Sequence, residues 1–487
     1  MSLYQTPESF TRSVEKNIHM MQKLFEHDST FLLRELTNKH DPSWRFVLFF
    51  IDGMANAELM SENIVEPLTH FQPPDTAPAD LIDYLMRQVV EAVEIKRAAK
   101  PDDILSSLVY GDTILFCEGA SDAIIIDTKS FPHRSVSEPE NEPSLKGPRE
   151  GFNETLMQNM ALIRKKIRTH HLKMEFSTVG ETTHTNICVT YIDDVVDREA
   201  LRELKDRLSR FRMDGILDSN YLQEYIRDAP YSPFKTVGNT ERPDIVAAKL
   251  LEGRIAVLVD GSPVALTVPF AFIEHFQAND DYYTNYLFSS VMRLLRVAGF
   301  FVTVLLPAVY VALITYHQEM IPTELIFSIA EARRGVPFPS VLEAFGMLVA
   351  FEILREAGTR APAAVGQTLG IVGGLVLGQS AVEARLVSAP MLIIVAFSGV
   401  TALMVPRLRG ANILLRALFL LAAALFGLYG CGFALLFVAV HLCRLRSFGV
   451  PVLVGAAAGS GGEDILIRKP WFRMKPKGRY VAGRGRS

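Results

Sequence analysis

The sequence predicts a soluble α/β N-terminal region of two subdomains followed by an all-α polytopic membrane domain. Three observations carry this expectation. Hydrophobicity is segregated: residues 1–283 mix charge with short apolar runs, whereas 284–462 are apolar. Charge is segregated as well, with about −15 on the first stretch and about +5 on the second. Finally, Gly366, Gly370, Gly374 and Gly378 recur every fourth residue within one apolar segment, AAVGQTLGIVGGLVLGQSAVEA (363–384). A soluble helix would lose about 0.5–1 kcal/mol per glycine relative to alanine, whereas in lipid the same spacing lets two helix backbones approach closely.

The elements follow in order. Residues 1–40 read as an N-terminal extension without a continuous apolar h-region, so no secretory signal is expected and the head is expected in the cytosol. In the first α/β subdomain (41–133), WRFVLFFI (44–51) reads as a buried strand before an Asp52-Gly53 turn. Helical periodicity runs through Ala57–Leu68 and Asp80–Lys96, and short strands are expected at 108–110, 113–117 and 123–127. The polar, proline-bearing stretch 134–150 reads as a linker. The second subdomain (151–283) shows helices at 153–168, 198–211, 219–228 and 243–251, with strands at 173–178, 186–192, 254–259 and 264–268.

The head offers no GxSxG, P-loop or HExxH pattern, so no enzyme and no cofactor are expected. The adjacent pair His170-His171 cannot chelate from one helix face and reads as surface, and Arg164-Lys165-Lys166 reads as a solvated helix face. The acidic head argues against a nucleic-acid partner. Cys117, Cys188, Cys431 and Cys443 have neither CxxC nor Cys/His ligand spacing and read as small buried apolar residues.

In the membrane domain (284–455), Arg293 and Arg296 open a span at 297–316 of about 20 residues, enough to cross a bilayer core of about 30 Å. Pro307 is expected to kink it, and an amphipathic helix is expected at 324–334. The next segment, 340–362, carries Glu343, Glu352, Arg355, Glu356 and Arg360. Such charges cannot face lipid cheaply, so an ion pathway competes with internal ion pairing at helical spacing. On a helical wheel the four glycines span about 120°, and Thr368, Val372, Gln379 and Glu383 lie opposite. That face either lines a pore or hydrogen-bonds a neighbouring helix. Residues 388–405 form another span, and 418–442 either form one helix or break at Gly427, Gly430 or Gly432. Four or six crossings result; both keep head and tail on one side, and six places Arg407 and Arg409 inside. The basic tail, 456–487, holds eight Lys and Arg residues against Glu463 and Asp464.

Several long motifs now point to one family. GPREGFNETLMQNMALIRKKI (147–167), ERPDIVAAKLLEGRIAVLVDGSPVALTVP (241–269), DDYY (280–283), RLLR (293–296), FEILREAGTRAP (351–362), IVGGLVLGQSAVEARLVSAP (371–390) and SFGVP (447–451) are similar, in order, to the spore germination receptor A-subunit family of the GerA type. The resemblance spans roughly residues 40–455. Ala361 before Pro362, and Glu383-Ala384-Arg385 after the glycine segment, depart from the family pattern; the tail after Gly455 has no counterpart.

The resemblance implies a multi-pass protein of the bacterial spore inner membrane. It implies partnership with a transporter-like, nutrient-binding B subunit and a lipoprotein C subunit. It further implies a homo-oligomer, a pentamer, forming a nutrient-gated monovalent cation channel. The family also contains stage V sporulation paralogues of the AF type, and the two readings stay open. A secondary transporter and a non-conducting sporulation scaffold are the competing classes; the first would show an internal sequence repeat, and none is seen.

Overall fold

The computed structural model describes residues 7, 9–74, 78, 80–130, 142, 146–362, 366, 373–453 and 466–473. Its N-terminal half holds two five-stranded antiparallel sheets. The first uses β1 (Phe31–Thr37), β2 (Arg45–Ile51), β3 (Ile95–Ala98), β4 (Thr113–Cys117) and β5 (Ala123–Ile126) in the order β1-β2-β4-β5-β3. The second uses β6 (Leu172–Val179), β7 (Thr185–Ile192), β8 (Gly238–Thr240), β9 (Ile255–Val259) and β10 (Ala265–Val268) in the order β6-β7-β9-β10-β8. Renumbered from its own first strand, the second sheet has the same order as the first.

The helices repeat too. In the first unit α1 (Val14–Leu24) precedes a hairpin, α2 (Ala57–Met60), α3 (Glu66–His70) and α4 (Leu81–Tyr84) form the crossover, and α5 (Pro101–Tyr110) precedes the last hairpin. In the second unit α6 (Leu156–Lys166), α7 (Arg198–Ser209) with α8 (Ser219–Ile226), and α9 (Pro243–Leu251) take those places. Each sheet is covered on both faces, which is why its inner strands read as continuous apolar runs. Met21, Leu105 and Leu108 of α1 and α5 pack one face of the first sheet, and Met60, Leu68 and Leu85 the other. Met160, Ile163 and Leu250 of α6 and α9, and Leu201, Leu204 and Leu222 of α7 and α8, do the same for the second.

Four expectations are corrected here. Leu108–Tyr110 closes helix α5 instead of forming a strand; Pro101 starts that helix and Gly111, at φ 105°, ends it. The helix expected through Lys96 stops at Val89, and Ile95–Ala98 is the edge strand β3. Residues 14–37, read as part of an extension, supply α1 and β1. Arg164 is buried, not solvated: its Nη2 lies 2.7 Å from Asp28 Oδ2 and 3.0 Å from Thr30 Oγ1, joining the two units. Lys173 Nζ donates to the Leu24 carbonyl beside it, 2.9 Å away. Most of the 134–150 stretch lies outside the described residues.

The C-terminal part is helical: α10 (Tyr286–Tyr316), α11 (Thr323–Ala332), α12 (Ser340–Arg360), α13 (Gly374–Glu383), α14 (Ala389–Ala402) and α15 (Arg409–Arg444). Among the described residues two stretches, Tyr286–Tyr316 and Pro406–Arg444, are long and apolar enough to cross a bilayer. Pro307 sits inside α10 without ending it.

The second stretch is a hairpin. Arg407 Nη2 lies 2.6 Å from Glu142 near the sheets, and His441 Nε2, at the other end, lies 2.9 Å from Ser232 Oγ of the second unit. Both ends of α15 therefore rest at the sheet end. Its middle is at the far end of α10, where Tyr316 Oη donates to the Ala424 carbonyl at 2.7 Å. The reversal falls at Gly427, whose φ of 57° and ψ of −139° are not helical. Only glycine adopts that conformation readily.

Candidate functional site

The site begins with the charges on α12, each of which meets a partner inside the chain. Glu343 is buried at the far end; its carboxylate accepts from Ser388 N at 3.1 Å and Ser388 Oγ at 2.9 Å, and Arg333 lies 3.1 Å away. Glu352 pairs with Arg355 one turn on, and with Arg416 of α15 at 3.3 Å. Glu356 pairs with Arg360 at 2.7 Å and with Arg409 at 3.1 Å, at the sheet end. All five residues thus have an oppositely charged partner within 4 Å in the chain.

Arg416 centres a polar cluster in this apolar region. Its guanidinium donates to the carbonyls of Thr303 (3.2 Å) and Ser398 (3.3 Å). Ser398 Oγ donates back to the Thr303 carbonyl at 2.8 Å, and the hydroxyls of Thr303 and Thr401 are 2.9 Å apart. Small residues on α14 make room: a Cβ on Gly399 would fall 2.5 Å from the Phe351 ring of α12. The pattern is the tight, small-residue packing expected where no water can satisfy a polar group.

The glycine helix behaves differently. Thr368, Gly370 and Val372 lie outside the described residues. Gly366 abuts the carbonyl of Gly358, where a side chain would collide with backbone, and Gly378 faces Leu392 of α14 at 3.5 Å. Among the described residues, Gly374 has nothing within 4 Å of its would-be Cβ. On the other face, Gln379 Nε2 donates to Glu383 Oε1 at 2.8 Å, and both residues are exposed. Glu383 is thus a carboxylate of this helix that no cation neutralises among the described contacts.

A second cluster holds the sheets to the helices, and it uses the motif residues. Asp281 of DDYY binds Arg293 (2.8 Å) and Arg296 (2.7 Å) of RLLR. Asp244 of ERPDI accepts from Arg242 and from Tyr283, each at 2.9 Å. Glu274 pairs with Lys249 at 2.8 Å and with Arg254. Ser447 of SFGVP accepts from Phe270 N at 2.9 Å and donates to the Thr236 carbonyl at 2.6 Å, returning the chain to the second sheet. Burial works to raise the Asp281 carboxyl, but hydrogen bonds from Arg296 and Arg293 hold it below the usual range. Burial likewise opposes ionisation of Glu274, yet Arg254 and Lys249 hold it at about 2. Burial, then the charges of Arg407 and Lys235, push neighbouring His275 down to about 3, so it is neutral.

Sequence reasoning missed Ser388, Arg416 as an internal ligand, His275 and the Glu142–Arg407 pair. The i,i+3 and i,i+4 pairs on α12 were visible in spacing; their partners on other helices carry no local signal. Cys443 is exposed, unlike the other three cysteines, a correction to the expectation of four buried thiols.

The chain thus joins paired α/β units to long apolar helices through these motifs. The chain belongs to the GerA family: the family model described as "Bacillus/Clostridium GerA spore germination protein" matches residues 19–480. It is 38% identical to Spore germination protein KA of Bacillus subtilis (strain 168) over 96% of this chain and 86% of the relative. It is 39% identical to the uncharacterized membrane protein YfkQ of the same organism, over 90% of this chain and 86% of the relative. Spore germination protein GerLA of Bacillus cereus is 35% identical, over 90% and 89% respectively. A crystal structure of the N-terminal domain of the A subunit of the Bacillus megaterium spore germinant receptor GerK3 is 26% identical, covering 55% of this chain and 99% of that one, with a TM-score of 0.44.

Proposed function

We propose that this chain is a membrane subunit of a nutrient-responsive germination receptor that oligomerises, as a pentamer, into a gated monovalent cation channel of the spore inner membrane. One observation carries the reading. The charges on α12, with Arg409 and Arg416 of α15, are paired within the chain, whereas among the described residues the Gln379–Glu383 face of α13 is open and nothing lies within 4 Å of a Cβ built on Gly374. A helix with an open position at Gly374 and an exposed polar face suits a place between a neighbouring subunit and a cation path. The path of the chain supports six crossings: α10 leads away from the sheets, α12 returns, the α13 segment leads out, α14 returns, and the two arms of α15 go out and back. Head and tail then share the cytosolic side, with Arg407 and Arg409.

In this arrangement the sheet units and the junction would pass a nutrient signal from a transporter-like B subunit and a lipoprotein C subunit to the helices. The neutralised charges on α12 argue against a transporter with an ion route inside a single chain. The test is reconstitution of the full chain into liposomes, with native mass measurement and monovalent cation flux. Defined oligomers that conduct support the reading; a monomer, or an oligomer that passes no cations, removes it.

A further inference from the structure

The C-terminal segment 466–473 does not trail away from the molecule. Arg468 is 2% exposed and is threaded into the base of α10. Its Nη1 donates to the carbonyls of Asp281 at 2.7 Å and Thr284 at 2.8 Å, and its backbone N donates to Ser290 Oγ at 3.0 Å. Its guanidinium lies over the rings of both Tyr282 (5.6 Å) and Trp471 (5.2 Å). This clamp fixes the height of the next residues: Trp471 sits beside Tyr282, ring centroids 6.1 Å apart, just before the first turn of α10.

At that height the surface is apolar, and no described residue covers it. Trp471 is 62% exposed and Phe472 82%. Leu466, Ile467, Tyr286, Leu287 and Phe288 are exposed around the same base. Water does not favour two bare aromatic rings held in place by a buried arginine. The boundary between water and lipid does: tryptophan prefers that depth, and Lys or Arg beside it meets anionic headgroups. The charge is of the matching sign. Lys469 and Arg473 flank the two rings, and the sequence beyond holds Lys475, Lys477, Arg479, Arg484 and Arg486 with no acidic residue. The sheet region, with about −15, is repelled by the same surface. A basic tail clamped at one point would hold the acidic head beside a membrane it does not itself favour.

We propose that the Arg468-clamped segment is a peripheral lipid anchor, with Trp471 and Phe472 inserted among anionic phospholipid headgroups at the cytosolic base of α10. The inference rests on the membrane reading of α10 but not on channel activity.

The chain has two tryptophans, Trp44 and Trp471, so Trp44→Phe leaves Trp471 as the sole reporter. The full-length Trp44→Phe protein is placed in liposomes of phosphatidylcholine with or without phosphatidylglycerol, some containing brominated acyl chains. In phosphatidylglycerol vesicles, Trp471 emission should be blue-shifted, quenched by brominated lipid and shielded from aqueous iodide. Shielding should fall when salt is raised, and Arg468→Gln should abolish it while Arg468→Lys keeps part. A Trp471 that iodide reaches equally in both lipids overturns the proposal, as does shielding that only added nucleic acid or another protein produces. Flotation of the same protein with the vesicles reports integration separately. A chain that floats with an exposed Trp471 sinks the anchor alone, and one that does not float sinks the membrane reading beneath it.

Discussion

Asp281 and Arg296 meet as a two-pronged ion pair, with Oδ1 2.7 Å from Nη2 and Oδ2 2.8 Å from Nη1. The aspartate ends the sheet region and the arginine lies in the first long apolar helix, so this pair crosses the joint between the two halves. Arg293 shares the same carboxylate through Nε at 2.8 Å. Removing one member of a buried pair strands the others, at about 3–5 kcal/mol. Asp281→Asn should therefore lower the unfolding midpoint of the full-length protein sharply and reduce its yield. Arg296→Lys, which keeps the charge but loses the fork, should cost less. Equal midpoints for Asp281→Asn and the parent would show that the joint does not depend on this carboxylate.

His275 gives the same joint an acid limit. Both ring nitrogens are buried with no hydrogen-bond partner among the described residues, beside Arg407, Lys235, Lys249 and Glu274. Its folded value, about 3, lies below the ordinary 6.5, so at intermediate pH the unfolded chain binds a proton that the folded chain refuses. The stability this withholding protects is intact above pH 6.5 and drains away as pH falls toward 3. At pH 5 the loss is about 2 kcal/mol. Glu274, held at about 2, adds loss of the same sign only below its ordinary 4.5. His275→Leu should flatten the fall in midpoint between pH 7 and 5 without lowering it at pH 7.5. His170, pushed down to about 4 chiefly by burial, leaves a residual slope. An unchanged slope in the variant would assign the acid response elsewhere.

The fold was legible where burial is continuous and obscure where it is not. β4 (TILFC) and β9 (IAVLV) are buried along their whole length and read directly as strands. β3 (IKRA) lies at a sheet edge with two exposed basic residues, so its sequence looks like the end of a helix. The repeat of strand order between the two units left no trace in the sequence, because topology constrains where apolar residues fall and not which ones they are. In the helices, Glu352 and Arg355 announced themselves by spacing. Arg416, which completes their cluster from 61 positions beyond Arg355, did not; only its place in an apolar stretch hinted at a partner.

The two faces of the glycine helix should separate in mutants. Gly374 meets no described residue within 4 Å, so Gly374→Leu should leave the folded subunit intact while preventing the oligomer, read by native mass in detergent. Glu383 is exposed, and Glu383→Gln should change stability by no more than about 0.5 kcal/mol. The same change should cut monovalent cation flux several-fold in liposomes, because it removes the carboxylate at the proposed mouth. Glu352→Gln is the control: it uncovers Arg416 and Arg355 and should destabilise the subunit without altering ion preference. Normal flux with Glu383→Gln, or normal assembly with Gly374→Leu, would take the corresponding face out of the channel proposal.

The reversal at Gly427 makes the sharpest topological prediction. A Cβ there would lie 2.8 Å from His317 Nε2 and 3.0 Å from Tyr316 Cβ, on top of a backbone conformation that only glycine tolerates. Gly427→Leu should therefore disrupt the hairpin instead of merely loosening it. The hairpin itself can be read from labelling. Cys443 is exposed, and a cysteine at Gly410 would meet nothing within 4 Å. Each is made the sole cysteine of the full-length protein in sealed vesicles, alongside one replacing exposed Glu319 at the far end of α10. A membrane-impermeant maleimide should reach positions 410 and 443 from the same face and position 319 from the other. One straight crossing from Arg409 to Arg444 would instead put 410 and 443 on opposite faces, because 36 helical residues span about 54 Å, well beyond a bilayer core of about 30 Å. That excess length is itself a reason for the chain to turn back: with the break at Gly427, each arm is about 26 Å long, close to what one crossing needs.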